Sequence, residues 1–421
     1  MTGLTSRRLA RGAVFLAAGA LVWGVAAPTA LADQIRDQQW ALKTFGAESK
    51  VWPVSQGEGV TVAVIDSGVS SDHQDLVGQV LPGADFSGIN SDGRTDTVGH
   101  GTGMASLIAG HGHGAQAGVV GLAPKAKILP VKVRTSDGGA IPQQNDLAAA
   151  IRFAVDNQAK VINMSIVGSS RFDSQTRKAV AYAVSKDVVL VAGTGNDGST
   201  QGVGYPAAFP GVVAVGAVDS KGAVWEDSTS GSETTLIAPG VGIYHASAKS
   251  PTSYVVADGT SDSTAYVSAT AALIRSKYPN LSAGQVINRM IKSATPPADG
   301  TVVPNNHYGY GIVAPAKALE PNSAVDNGPT ENPLIKRPES KGTPQIDEDS
   351  DAADGPSPAP VAPGAAAGSG GGDGTGLVIG AGAAGVVVVG VSVAAVVVAR
   401  RRRRRAAEGL FPQPPYGGAG Q

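Results

Sequence analysis

A doubly wound α/β domain, a parallel sheet with helices on both faces, is the fold class that the 421-residue sequence predicts. Three observations carry this. Short, nearly unbroken Val/Ile/Leu runs occupy residues 60–65, 126–133, 161–164, 188–192 and 212–218. Helical stretches fall between them, at 102–109, 146–157 and 176–185. The 57 glycines supply turns between elements and otherwise collect towards the C-terminal end. A strand covered on both faces needs no polar alternation, so continuous apolar runs are what a buried parallel sheet demands. Sheets of this kind bind ligands beyond the carboxyl ends of their strands, and Asp66 stands at such an end. Further on, Ser282 and Gln285 form a capping box that opens a helix running to about Ser293.

Composition narrows the function classes. The formal net charge of −1 argues against nucleic acid as the main partner. With no cysteine there is no disulfide, no zinc–thiolate site and no thiol nucleophile. Residues 1–32 read as an export signal: Arg7, Arg8 and Arg11, an apolar core at 13–27, then Ala30-Leu31-Ala32 as a cleavage site before Asp33. An ordinary secretory signal is preferred to a twin-arginine one, with an uncleaved anchor as the alternative. Residues 33–59 read as an N-terminal arm packed on the domain at 60–320. Residues 321–375 lose apolar periodicity to Pro, Gly, Ala, Asp, Glu and Ser, and are expected to be a disordered linker. Residues 376–399 are expected to form a single transmembrane helix, long enough for a hydrocarbon core of about 30 Å. Arg400 to Arg405 follow directly and place the tail, 400–421, in the cytoplasm.

Three stretches carry candidate chemistry. Ser261 lies in Asp258-Gly259-Thr260-Ser261-Asp262-Ser263, at the mouth of a helical stretch. A glycine turn exposes the hydroxyl, and the free N–H groups of a helix start favour negative charge nearby. Serine needs a base, and the base needs an orienting partner. Asp66 in Val62-Ala63-Val64-Ile65-Asp66-Ser67-Gly68 and His100 in Gly99-His100-Gly101-Thr102-Gly103 supply both. Each stretch alone is a weak signal: Gly-Thr-Ser is usually a turn or helix cap, Asp-Ser-Gly after a strand usually a turn, and Gly-His-Gly-Thr could be a loop.

Together, in the order Asp, His, Ser, they resemble the subtilisin-like serine proteases (subtilases) over residues 60–318. The resemblance implies that Ser261 attacks a peptide carbonyl, His100 relays the proton and Asp66 orients the imidazole; these roles are those of the subtilisin triad. It implies that Asn196, in Val191-Ala192-Gly193-Thr194-Gly195-Asn196, donates to the oxyanion beside the Ser261 N–H. It also implies an edge strand at Ile162-Asn163-Met164-Ser165-Ile166 that pairs with extended peptide. Ser165, Ile166 and Val167 then line one side of the substrate pocket, and Ala192, Gly193 and Thr194 the other. No cofactor or metal is expected. Subtilases often bind structural calcium, but no loop here commits to it. His111 and His113 read as a solvated glycine-rich loop, and His73, His245 and His307 carry no signal.

Three residues depart from the family pattern. Asp262 replaces a small or apolar residue after the nucleophile, Ala265 a proline, and Val167 a glycine. Asp262 is read as a first-turn carboxylate that stabilises its helix, the alternative being a charge that raises the pKa of His100. Val167 narrows the pocket. The order of signal, protease domain, linker, span and basic tail is similar to that of mycosins, the membrane-anchored subtilases of actinobacterial type VII secretion, as are Gln39-Trp40 and Gly57-Glu58-Gly59-Val60. Mycosins generally carry cysteines, which this chain lacks. The resemblance implies an exported endopeptidase anchored in the cell membrane, its domain outside. It would act on polypeptides through an acyl-enzyme, in the company of secretion-system proteins. The alternative, motivated by Asp262 and Ala265, is a structural component of a secretion complex with little or no turnover.

Overall fold

The computed structural model describes residues 32–338, apart from 115, 135–143 and 201. The expected signal up to 31, the linker beyond 338, the span at 376–399 and the tail at 400–421 lie outside the described residues. Among the described residues no helix is long and apolar enough to cross a membrane.

The chain begins with helices α1 (Ala32–Gln38) and α2 (Trp40–Phe45) and a π-helical turn at Ala47–Val51. Then come β1 (Thr61–Asp66), β2 (Ala84–Asp85), α3 (His100–Ala109), the short strands β3 (His111–His113) and β4 (Ala117–Val120), and β5 (Lys127–Lys132). Next are α4 (Gln144–Asp156), β6 (Val161–Met164), α5 (Ser174–Ser185), β7 (Val189–Gly193), β8 (Val212–Val218) and β9 (Thr234–Pro239). A hairpin of β10 (Ile243–Ala246) and β11 (Tyr254–Ala257) leads into α6 (Thr260–Lys277) and α7 (Ala283–Ser293), and the short helices α8 (Pro315–Ala318) and α9 (Ser323–Asp326) follow.

Seven strands form one sheet in the order β2-β5-β1-β6-β7-β8-β9, parallel throughout. The apolar runs are continuous because both faces are buried. Val62 and Val64 join the core with α3, α6 and α7, whereas Ala63 and Ile65 join the core with α4 and α5. This is the period of two expected of a strand. The strand order reverses beside β1, which leaves a crevice at the carboxyl ends of β1, β6 and β7. Helix α6 is buried nearly all round, so it shows little amphipathic pattern. The capping box at α7 is present: Gln285 N donates to Ser282 Oγ (3.1 Å) and Ser282 N to Gln285 Oε1 (2.9 Å).

The N-terminal arm is part of the core. Ala41, Leu42, Phe45, Ala47 and Val51 are buried. Trp40 Nε1 donates to Val241 O (3.0 Å) and Trp52 Nε1 to Leu122 O (2.9 Å).

The folded domain extends past the boundary expected at 320. Residues 321–338, read from composition as linker, lie on the domain surface. Arg289 on α7 is 2% exposed, and its guanidinium pairs with Asp326 (2.8 and 2.6 Å) and donates to Ala318 O and Glu320 O. Arg337 donates to the carbonyls of Ala207, Phe209, Val212 and Glu233 and to Thr235 Oγ1. Composition missed this strap because its hold comes from two arginines rather than from an apolar stripe. Cutting the chain after Glu320 removes Asp326 and strands a buried charge, which costs about 3–5 kcal/mol. A chain ending at Pro338 is therefore expected to unfold at clearly higher urea than one ending at Glu320.

Candidate active site

Asp66 is the last residue of β1 and fully buried; His100 is the first residue of α3. His100 Nδ1 lies 2.8 and 2.9 Å from the two Asp66 carboxylate oxygens. The loop that presents the imidazole is fixed by Asp96, a residue the sequence reading missed. Its Oδ1 accepts from Ser67 Oγ (2.9 Å), Val98 N (3.0 Å) and Gly99 N (2.8 Å), and its Oδ2 from Thr102 N (3.0 Å) and Thr102 Oγ1 (2.7 Å). Ser67 Oγ accepts in turn from Gly101 N (3.0 Å). One buried carboxylate thus ties the start of α3 to the end of β1, capping a helix whose own N-cap, Gly99, has no side chain. An acidic residue just ahead of a helix start was the available signal.

Burial works against a charged His100 ring. The Asp66 carboxylate beside it outweighs that cost, Asp262 (when ionised) and Asp96 add to the effect, and the ring is pushed up to about 9. A third of the side chain is exposed (33%), so solvent screens part of this pull.

Ser261 is the second residue of α6, and α6 packs against α3. Its hydroxyl donates to Ser165 O (3.3 Å); among the described residues it makes no hydrogen bond to His100. The Asp66–His100 leg of the expected row is therefore closed and the His100–Ser261 leg open. Unliganded active sites commonly hold such bonds long or misaligned. The Ser261 backbone is firmly held. Ser165 Oγ donates to Ser261 O (3.0 Å), Asn163 Nδ2 to Ser165 Oγ (3.0 Å) and Ser268 Oγ to Asn163 Oδ1 (2.9 Å), all within the interior between β6 and α6.

Asn196 lies beyond β7. Its Oδ1 accepts from Thr260 N (3.0 Å) and Thr260 Oγ1 (2.8 Å), which turns the Nδ2 donor away from the helix start. Thr260, also missed by the sequence reading, is what orients the amide. A Cβ on Gly259 would sit 3.5 Å from Asn196 Nδ2 and 3.6 Å from Ser261 N. Two donors thus converge on the space beside a residue without a side chain. The Gly259 backbone is extended (φ 173°), so alanine fits without strain. Gly259→Ala is expected to leave the unfolding midpoint unchanged and to lower kcat about tenfold or more, because its methyl group enters the space between the two donors. Steady-state kinetics beside a melting curve checks both halves.

The expected pocket residues gather here. Ser165, Ile166, Ala192 and Thr194 are buried. Val167 is 42% exposed, its methyls against Gly204. Among the described residues the backbone N–H and C=O of Ile166 and Val167 have no hydrogen-bond partner. The expected edge strand at 162–166 needs correcting: Ile162 to Met164 belong to β6, a central strand paired with both β1 and β7, and only the segment after it, at Ile166 and Val167, is left open.

Several sequence expectations need correcting. Asp262 is in the first turn of α6 as expected, but it is 2% exposed and its Oδ1 has no hydrogen-bond partner, and its ionised form acts on His100 in the direction of the alternative reading. Ala265 sits inside a continuous helix and is fully buried. His113 is not in a solvated loop: its Nδ1 is 2.6 Å from the buried Asp75, and the partner was missed because it lies far away in sequence. His73 is buried with Nε2 3.0 Å from Ser253 O, and His245 is buried beside Asp262. Among the described residues no group of three or more His, Asp or Glu is arranged to hold a metal ion.

The sequence profile of the subtilase family matches residues 57–311. The chain belongs to the subtilase family. As a subtilase it is a serine-type endopeptidase. It is 38% identical to subtilisin DY of Bacillus licheniformis over 261 residues, covering 61% of this chain and 90% of that protein. Against subtilisin E of Bacillus subtilis (strain 168) the identity is also 38%, and the match spans 65% of that protein's length. Among solved structures it is similar to MycP3, a protease from the type VII (ESX-3) secretion system, with TM-score 0.59 and 32% identity over 70% of this chain and 90% of that one. It is likewise similar to MycP1 from Mycobacterium smegmatis, with TM-score 0.62 and 27% identity over 76% of this chain and 91% of that one. Mycosins are thus among the structural neighbours of this subtilase.

Proposed function

We propose that this subtilase is an exported, membrane-anchored endopeptidase that hydrolyses extended polypeptides through Asp66, His100 and Ser261, alongside proteins of a type VII secretion system. The observation that carries the chemistry is the Asp66–His100 contact, one ring N–H shared between two carboxylate oxygens, together with two converging donors, Asn196 Nδ2 and Ser261 N. A peptide lying along the open edge at Ile166 and Val167 brings its carbonyl to Ser261. Rotation of the hydroxyl from Ser165 O to the imidazole starts the reaction. His100 takes the proton, the tetrahedral oxyanion settles between Asn196 and the Ser261 N–H, and His100 returns the proton to the leaving amine. Water then resolves the acyl-enzyme by the same relay. Export, anchoring and the secretion partner rest on the apolar segment at 13–27, the span at 376–399 with its arginines, and the likeness to MycP1 and MycP3.

The open His100–Ser261 leg favours one rival, a secretion component of subtilase fold with little turnover. Incubating the chain with long unstructured polypeptides and sequencing the products decides between them. Internal cleavage after small residues is the expected result, and intact substrate after extended incubation supports the rival. Val167→Gly is expected to widen the pocket, raising kcat/KM for bulky residues on the acyl side of the cut by about 10–100-fold.

A further inference from the structure

Beneath the nucleophile lie two titratable groups with no part in the proton relay. Asp262 immediately follows Ser261 on α6, and His245 lies on β10; their side chains are 3% and 7% exposed. His245 Nε2 lies 3.8 Å from Asp262 Oδ1, an oxygen with no hydrogen-bond partner. His245 Nδ1 is 2.9 Å from Ala246 O. A carbonyl only accepts, so Nδ1 carries the hydrogen and Nε2 of the neutral ring presents a lone pair to Asp262. The ring is confined by α3, where a Cβ on Gly103 would fall 2.6 Å from its Cε1.

At 3.8 Å the two atoms are too far apart for a hydrogen bond, but a buried carboxylate oxygen with no donor, facing a ring lone pair, is unfavourable while the pair carries a net charge. The pair therefore holds one proton, as carboxylic acid and imidazole or as carboxylate and imidazolium, and is neutral either way. Burial pushes Asp262 up to about 8 and His245 down to about 4, which puts the proton on the carboxyl group. The other titratable groups around Asp262 are His100 from α3, Asp258 from the turn before α6 and Tyr266 one turn along. Asp66 and Asp96 act on it through His100.

The location gives the proton its consequence. A Cβ on Gly259 would sit 3.7 Å from Asp262 Oδ2, and that same position marks the convergence of Asn196 Nδ2 and Ser261 N. An ionised Asp262 would place a negative charge beside the developing oxyanion and would hold His100 protonated. A protonated Asp262 does neither.

We propose that Asp262 is a positioning residue whose proton, held on a buried carboxyl group beside His245, keeps the ground beneath Ser261 uncharged, and that losing this proton weakens the oxyanion site and keeps the base protonated at alkaline pH. The proposal rests on the reading of Ser261 as the nucleophile. Two measurements on the purified full chain test it. In the first, kcat/KM for a peptide amide is followed from pH 6 to 11 for the wild type and for Asp262→Asn, which removes the titration and keeps the shape. The wild type is expected to rise as His100, at about 9, loses its proton and to fall as Asp262, at about 8, loses its own, giving a bell whose top lies between those values, and the variant's fall is expected to begin at least one pH unit higher. Superimposable normalised profiles would overturn the proposal. The second uses 15N-histidine NMR on the wild type and needs neither a variant nor turnover. It is expected to find His245 as the neutral Nδ1–H tautomer, with an Nε2 resonance that shifts as the carboxyl group titrates. An Nε2–H tautomer, or a resonance flat throughout, overturns the pairing. A chain that shows the NMR signature without turnover would leave the pair standing and remove the nucleophile assignment instead.

Discussion

Ser261→Ala is expected to lower kcat/KM for an extended peptide by about four to six orders of magnitude while leaving stability within about 1 kcal/mol of wild type. The activity loss is on the scale of triad removals in subtilisin. The stability half comes from this chain. The hydroxyl makes one hydrogen bond, 3.3 Å to Ser165 O, and the backbone of Ser261 is held separately by Ser165 Oγ. Removing the oxygen breaks nothing that supports α6. A large activity loss at constant melting temperature would therefore report chemistry, whereas a parallel loss of both would report a structural serine. Circular dichroism melts run beside the kinetics make the distinction.

Asn196→Ala is expected to lower kcat by about 10²–10³, the scale known for a side-chain oxyanion donor in subtilisin. KM should change little. The oxyanion exists only in the transition state and the intermediates around it, so its donor does not hold the ground-state peptide. Stability should fall as well, by about 1–2 kcal/mol, because Thr260 N loses its acceptor at the start of α6. Thr260→Val separates the two roles. It keeps the Asn196 donor but removes the 2.8 Å hydroxyl bond that aims it, so a smaller loss of kcat is expected, again with KM held. An unchanged kcat in Thr260→Val would mean that the amide is aimed by something else. A raised KM in Asn196→Ala would mean that the amide binds substrate rather than the oxyanion.

Much of the fold was legible because a doubly covered parallel sheet writes itself as apolar runs. The strands at 161–164 and 212–218 occur where expected, and the neighbouring runs shift by only a residue or so. Strand β9 was missed, since Thr-Thr-Leu-Ile-Ala-Pro holds too short an apolar core to stand out. The strap at 321–338 was missed because arginine-to-carbonyl bonding has no periodicity to read. At the candidate site, Asp66, His100, Ser261 and Asn196 stood out as candidates through short glycine-bounded motifs whose order is distinctive. The residues that aim them did not. Asp96 works through backbone N–H groups, Thr260 through a single amide, and His245 meets Asp262 only once a hairpin and a helix have packed together. Such roles depend on three-dimensional proximity between segments that are far apart in sequence. The buried state of Asp262 was illegible for the same reason, because an acidic residue in a helix's first turn is ordinarily solvated.

The central claim is that Ser261 is a nucleophile activated by His100 and Asp66. Its most direct measurement is the site of reaction with a fluorophosphonate, located by digestion and mass spectrometry. A single phosphonate adduct on the peptide containing Ser261, absent in Ser261→Ala and strongly reduced in His100→Ala, is the predicted result. An unlabelled wild-type chain that is folded, or an adduct on any other serine, would contradict it.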